Sequence, residues 1–218
     1  LRGGIVLAEK STVTAVQKAL ESAKKRKFTE TVELAINLKD VDLTIPKSRI
    51  QDDIILPHGR GKAVRICVIG GGELALKAKA VADLVITPDE LGTIADSKKE
   101  AKKIANSIDY FIAEAPLMAV VGKKLGTVLG PRGKMPKPIP PGVDPAGMVE
   151  NLRKSVSIRT KDKITFHAPV GTADMDPVKI ADNIDAVIKR VETRLEKGKM
   201  NIASSYVKTT MGPSERII

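Results

Sequence analysis

Residues that can do chemistry are densest at positions 122–142, GKKLGTVLGPRGKMPKPIPPG. This stretch carries Lys123, Lys124, Arg132, Lys134 and Lys137, and no acid occurs between Glu114 and Asp144. Glycines at 122, 126, 130, 133 and 142 permit turns and close approach to a partner. Prolines at 131, 136, 138, 140 and 141 remove N–H donors, so the stretch is expected to be neither a helix nor a central strand. Its chemistry is either phosphate binding or that of a basic surface loop between two elements, and composition leaves both readings open.

Gly70-x-Gly72-x-x-Ala75 follows an apolar run, and Asp89 lies about twenty positions on, at the end of the next expected strand. This meets a relaxed dinucleotide fingerprint, with backbone N–H groups for a pyrophosphate and an acid for a ribose. The alternative is a tight strand-to-helix turn, and no hydride-transfer site is evident beside it. No Gly-Lys pair has a glycine five positions before and Ser or Thr after, so a Walker loop is absent. Two histidines and one cysteine support no zinc site, and nothing orders Ser, His and Asp into a nucleophilic triad. The chain is expected to be no enzyme and to need neither cofactor nor metal.

Binding chemistry is better represented. Thr31 and Glu33 share the polar face of an alternating strand, just after Lys27 and Phe28. The last strand offers Ser204, Tyr206, Thr209 and Thr210 ahead of the compact Met211-Gly212. Hydroxyls, a carboxylate and exposed backbone suit ribose 2′-hydroxyls and base edges in folded RNA. An ordinary β-surface is the competing reading. Lys24, Lys25, Arg26 and Lys27 end a helix, where they suit its dipole or meet phosphates.

The charge points the same way. Lys and Arg number 37 against 26 Asp and Glu, a net +11, which favours a polyanionic partner over a merely basic surface. The chain has no Trp, two Tyr and three Phe, which argues against rows of stacked aromatics reading single strands. With 42% hydrophobic residues and no low-complexity tract, a globular chain is expected. No apolar run is long enough for a membrane span, and no signal-peptide pattern is seen. Cys67, alone in an apolar run, reads as a buried thiol in a reducing intracellular setting. Scarce Asn and Gln suggest a thermophilic source.

The elements that must position these residues come in two styles. Val13, Val16, Leu20 and Ala23 recur at helical spacing after the capping candidates Ser11 and Thr12. Residues 31–38 alternate strictly, and a second extended run, 50–56, closes on Pro57-His58-Gly59. From Arg65 onwards the pattern becomes βαβαβα: strands at 65–69, 84–87 and 110–113, and helices through Leu74–Val81, from Pro88 to Ser107 with a break near Gly92, and from Pro116 towards Lys124. A helix at 145–154 closes this block. Residues 158–160 and 164–167 then read as antiparallel partners around Lys161-Asp162-Lys163. Asp176-Pro177 opens a long helix with the stripe Ala181, Ile184, Ile188, Val191 and Leu195, stopped by Gly198, and a strand at 201–210 follows. The economical architecture combines α/β and α+β. Residues 1–61 and 157–218 form an α+β domain with an antiparallel sheet, and residues 62–156 form an inserted Rossmann-like α/β domain. Two chain crossings, at 59–62 and near 155–159, could act as a hinge.

Several segments together resemble one family. GTVLGPRGKMPKP at 126–138, LPHG at 56–59, HAPVG at 167–171 and TTMGPS at 209–214 look like the large-subunit ribosomal protein L-one family, in its order and over nearly the whole chain. The stretch IQDDIILPHG is closer to the archaeal branch. The resemblance implies a two-domain fold with an insertion and binding to large-subunit ribosomal RNA at the mobile side stalk beside the tRNA exit site. It further implies a part in release of deacylated tRNA, and translational repression through a similar structure in the protein's own mRNA. By motif it carries RNA contacts onto Lys27, Phe28, Thr31, Glu33, His167, Gly171, Ser204, Thr210, Met211 and Gly212. Lys123, Lys124, Arg132, Lys134 and Lys137 remain a secondary basic loop for RNA or exit-site tRNA. The implied setting is the cytoplasmic ribosome, without a membrane, with the free protein a monomer. The alternative is a dinucleotide-dependent enzyme using Gly70, Gly72 and Asp89.

Overall fold

The computed structural model describes residues 10–24, 26–45, 48–160 and 163–218. Lys25 and the Lys161-Asp162 turn lie outside the described residues. In chain order the elements are α1 Lys10–Glu21, β1 Thr31–Leu38, β2 Gln51–Ile55, β3 Ile66–Ile69, α2 Gly72–Ala78, β4 Leu84–Ile86, α3 Pro88–Asp96 and α4 Lys98–Ser107. Then follow β5 Tyr110–Glu114, α5 Met118–Leu129, β6 Lys137–Ile139, α6 Ala146–Arg153, β7 Ser155–Arg159, β8 Thr165–Thr172, α7 Pro177–Arg194, β9 Ile202–Thr209 and β10 Ser214–Arg216. The chain forms two compact units, Leu1–Lys62 with Lys154–Ile218, and Ala63–Arg153.

The first unit is α+β. Its main sheet has the order β10-β9-β1-β8 with every pairing antiparallel. The strict alternation of β1 sends Val32, Leu34, Ile36 and Leu38 into the core. There they meet Val16 and Ala19 of α1 and Ile180, Ile184, Val187 and Val191 of α7. Both helices cover one face of the sheet, which leaves the other face, with Glu33 and Asn37, to solvent. α7 opens as its sequence promises: the Asp176 carboxylate accepts from the Val178 N–H at 3.0 Å, with Pro177 at the first helical position.

Two expectations fail in this unit. β7 does not pair with β8. It pairs with β2 in a separate two-stranded sheet, Gln51 opposite Arg159 through Ile55 opposite Ser155. Two adjacent extended runs carry no local record of which distant strand each will pair with. Ser11 and Thr12 do not cap α1; both lie inside it, and the buried Thr12 hydroxyl reaches Asp185 of α7 at 3.3 Å.

The second unit is α/β, with the parallel sheet order β4-β3-β5-β6. β3 is buried throughout, and burial pushes the Cys67 thiol up to about 12, so it stays protonated and inert. Gly70 and Gly72 turn the chain from β3 into α2. Gly72 has φ +51, which favours glycine for a local reason, and a Cβ on Gly70 would meet Leu74 Cδ2 at 2.3 Å, so that side chain would have to move aside. Asp89 lies beyond β4, in the first turn of α3, beside the Thr87–Glu90 capping box. The helical break falls at Ser97, which caps α4, and not at Gly92. The glycine-rich stretch also departs from expectation. α5 runs on to Leu129 through Gly122 and Gly126, because Val121, Leu125, Val128 and Leu129 form a buried stripe that outweighs two glycines. β6 joins the sheet at its edge, the position a strand containing Pro138 can occupy.

Candidate nucleic-acid interface

On the outer face of the main sheet, register brings side chains from three chain regions into rows. Thr165, Asn37 and Ser204 form one row. Their side chains bond in sequence, Thr165 Oγ1 donating to Asn37 Oδ1 at 2.8 Å and Asn37 Nδ2 donating to Ser204 Oγ at 2.8 Å. His167, Ala35 and Tyr206 form the next, with Arg216 of β10 opposite Tyr206. Pro169, Glu33, Lys208 and Ser214 form the third. From Thr31 to Asn37 this face runs about 20 Å. It is long enough to follow several nucleotides.

The end of the face beyond Glu33 is more elaborately built. The Thr210 hydroxyl lies 2.9 Å from Glu33 Oε1 and 3.1 Å from the Thr31 carbonyl, and the Thr210 N–H donates to the same carbonyl at 3.0 Å. The Met211 N–H donates to Glu30 Oε2 at 3.1 Å, and Gly212 N–H to the Thr209 carbonyl at 3.1 Å. Gly212 has no room for a side chain: a Cβ there would meet Thr209 Oγ1 at 2.3 Å. Phe28 and Met211 stand 58% and 59% exposed at this end, large apolar side chains without cover. Arg26, Lys27, Phe28 and Thr29 line a groove with Asp174, whose Oδ2 accepts from Thr29 Oγ1 at 2.7 Å.

Lys27, Phe28, Thr31, Glu33, Thr210, Met211 and Gly212 therefore gather at one end, and His167 and Ser204 lie farther along the same face. Gly171 is apart from them. A bulge between its pairing with Val32 and that of Pro169 turns it inward, where a Cβ would sit 3.1 Å from Ile180 Cγ1. Its place is the close packing of β8 on α7. Tyr206, offered by the last strand's sequence, stands in the rows, and so do residues the sequence did not single out: Asn37, Thr165, Lys208 and Arg216. Glu30, also not singled out, is 6% exposed. The Met211 N–H hydrogen bond holds its carboxyl below the usual range against the opposing effect of burial, helped by Thr209 and Arg26. Glu30 shares the parity of Val32 and Leu34, so an acid at an inward-facing position was a visible signal in the sequence.

The secondary basic stretch is engaged at home in the second unit. Arg132 Nε donates to Asn106 Oδ1 at 3.1 Å and its Nη1 to the Val128 carbonyl at 2.9 Å. Lys134 Nζ donates to the Ala105 and Ile108 carbonyls at 2.9 and 2.5 Å, closing the C-terminus of α4. Lys137 lies over the Tyr110 ring, 5.5 Å from its centre. Lys123 and Lys124 are exposed on α5. The charge excess sits mainly with the other unit, which holds 24 of the 37 cations and 16 of the 26 acids. No group of His, Cys, Asp and Glu suited to a metal occurs among the described residues.

The family model described as "Ribosomal protein L1p/L10e family" matches residues 19–213. The large ribosomal subunit protein uL1 of Methanocella arvoryzae is 53% identical over 213 residues, 97% of this chain and 100% of the relative. That of Archaeoglobus fulgidus is 51% identical over 98% of this chain and 100% of its own length. That of Thermoplasma acidophilum is 54% identical over 93% and 94%.

Proposed function

The chain belongs to the ribosomal protein L1p/L10e family, in its archaeal form, and from there we propose that it holds large-subunit ribosomal RNA on the outer face of the β10-β9-β1-β8 sheet. It is a non-enzymatic protein of the large ribosomal subunit in the cytoplasm, so the dinucleotide reading of Gly70, Gly72 and Asp89 falls. The observation that carries the proposal is the end of the face where Thr210 and Glu33 meet beside the exposed Met211. Glu33 repels phosphate, so what it faces must be a donor: a ribose 2′-hydroxyl or a base amino group. The Thr210 hydroxyl has a single proton, already directed at Glu33 or Thr31, which leaves its lone pairs to accept from RNA. Lys27 and Lys208, flanking this end, suit phosphates, and Phe28 and Met211 suit the faces of riboses or bases.

We assign the RNA to the mobile stalk near the tRNA exit site, with a part in release of deacylated tRNA. A messenger segment of similar fold would occupy the same face, so ribosomal and messenger RNA exclude one another and free protein represses its own translation. The cations of the second unit, Lys123 and Lys124 foremost, are the candidates for exit-site tRNA.

The test is binding of the whole protein to a structured ribosomal RNA fragment across salt. With about six phosphates engaged, affinity falls roughly a thousandfold between about 50 and 200 mM salt. Thr210→Val weakens binding by about 1 to 2 kcal/mol, roughly tenfold, at constant salt. A messenger fragment competes fully with the ribosomal one, whereas heparin competes poorly. If Thr210→Val binds as the parent does while Lys123→Ala with Lys124→Ala abolishes binding, the grip belongs to Ala63–Arg153 instead.

A further inference from the structure

A turn that meets RNA through its backbone and an exposed methionine must hold its shape before RNA arrives, because ordering it on binding would subtract from affinity. The turn at 210–212 is held from beneath by a residue that no part of the RNA reading uses. Glu30 lies between the outer-face residues and the core, on the inward parity of β1, 6% exposed. Its Oε2 accepts the Met211 N–H at 3.1 Å, and its Oε1 lies 2.6 Å from Arg26 Nε. Its own carbonyl accepts the Ala173 N–H at 2.9 Å, which ties the same residue to the segment after β8. A buried carboxylate held by an arginine on one oxygen and a backbone N–H on the other has its orientation fixed by both.

From this geometry we propose that Glu30 is a positioning residue for RNA binding, acting through the Met211 N–H to set the turn that carries Thr210, Met211 and Gly212. Resting on the RNA reading above, it adds a residue that touches no RNA. Glu30 offers an acceptor to the turn and needs Arg26 only to keep that acceptor in place. Its side chain is covered, so it contributes no phosphate or base contact of its own.

The consequence is a split between two substitutions. Glu30→Ala removes the acceptor, and affinity for the ribosomal RNA fragment falls about tenfold. Glu30→Gln keeps an oxygen for the Met211 N–H and remains within about threefold of the parent. Neither changes the slope of affinity against salt, whereas loss of a direct phosphate contact shifts that slope by about one. In the protein without RNA, the Met211 amide exchanges its hydrogen faster in Glu30→Ala than in Glu30→Gln or the parent, while core amides of β1 keep their rates. Both variants are compared well below their unfolding temperatures, so that each is folded. A Glu30→Ala protein that binds as tightly as the parent overturns the proposal. So does a Glu30→Gln protein as weak as Glu30→Ala, which would make the charge the active feature. If the parent itself fails to bind the RNA, it is the RNA reading that falls, and the Met211 exchange rates then report Glu30 as a structural tie alone.

Discussion

Ser205 faces the core opposite Ile36, fully buried, and its hydroxyl meets no hydrogen-bond partner among the described residues. Ser205→Ala removes that unpaired group and is expected to raise stability by about 1 kcal/mol, read as a higher urea midpoint at unchanged slope. Ser204, its neighbour, sits in the polar row, so Ser204→Ala is expected to weaken RNA binding with little effect on stability. Strand alternation made this pair legible in outline. The inward parity of Glu30 was visible by the same alternation, but its partner was not, being a backbone N–H supplied 181 residues later. The lowered pKa of Glu30 has a pH consequence. A carboxyl whose folded pKa lies below its unfolded value contributes stability that is present above the unfolded value of about 4.5 and lost as pH falls through the folded one. The Met211 turn should therefore loosen only below about pH 4.5, seen as faster exchange of that amide in acid, and Glu30→Gln should not show the change.

Elements were legible where one periodicity ran uninterrupted. β1 and α7 follow from alternation and from a helical stripe with its cap, whereas α5 was hidden by glycines that its buried stripe tolerates. Pairing of β2 with β7 was not legible either, since about a hundred residues of the other unit lie between them. Charge patterns were ambiguous at this scale for a physical reason: the same lysine serves a helix end or a phosphate. Lys134 resolves towards the helix end. It donates to two carbonyls at the α4 C-terminus, where a cation also complements the helix dipole. Lys134→Met keeps most of the stem and is expected to cost about 1 kcal/mol of stability while leaving RNA affinity unchanged. Loss of RNA affinity in a stable Lys134→Met protein would return this lysine to the interface.

At the scale of the whole molecule, each unit has its own interior. The cluster around Leu34, Ile36, Ile184 and Val207 is built only from the first unit, and the clusters around Phe111 with Leu125 and around Ile66 with Val149 only from the second. Separate cores predict separate unfolding, with substitutions in one unit moving one transition. Asn183 gives the sharpest test. Fully buried on α7, it accepts the His58 N–H at 3.1 Å and donates to the Gly59 and Val170 carbonyls at 2.8 Å each. It thereby fixes the chain at 58–59, just before Gly61 takes a left-handed φ of +70 and the first unit ends at Lys62. Asn183→Ala leaves three backbone groups unpaired, a loss of about 3 kcal/mol. In calorimetry that lowers the transition of the first unit by roughly 10 °C and leaves the second in place. Lys134→Met should do the reverse, lowering only the second. A single transition that moves with both substitutions would mean that the two cores unfold as one.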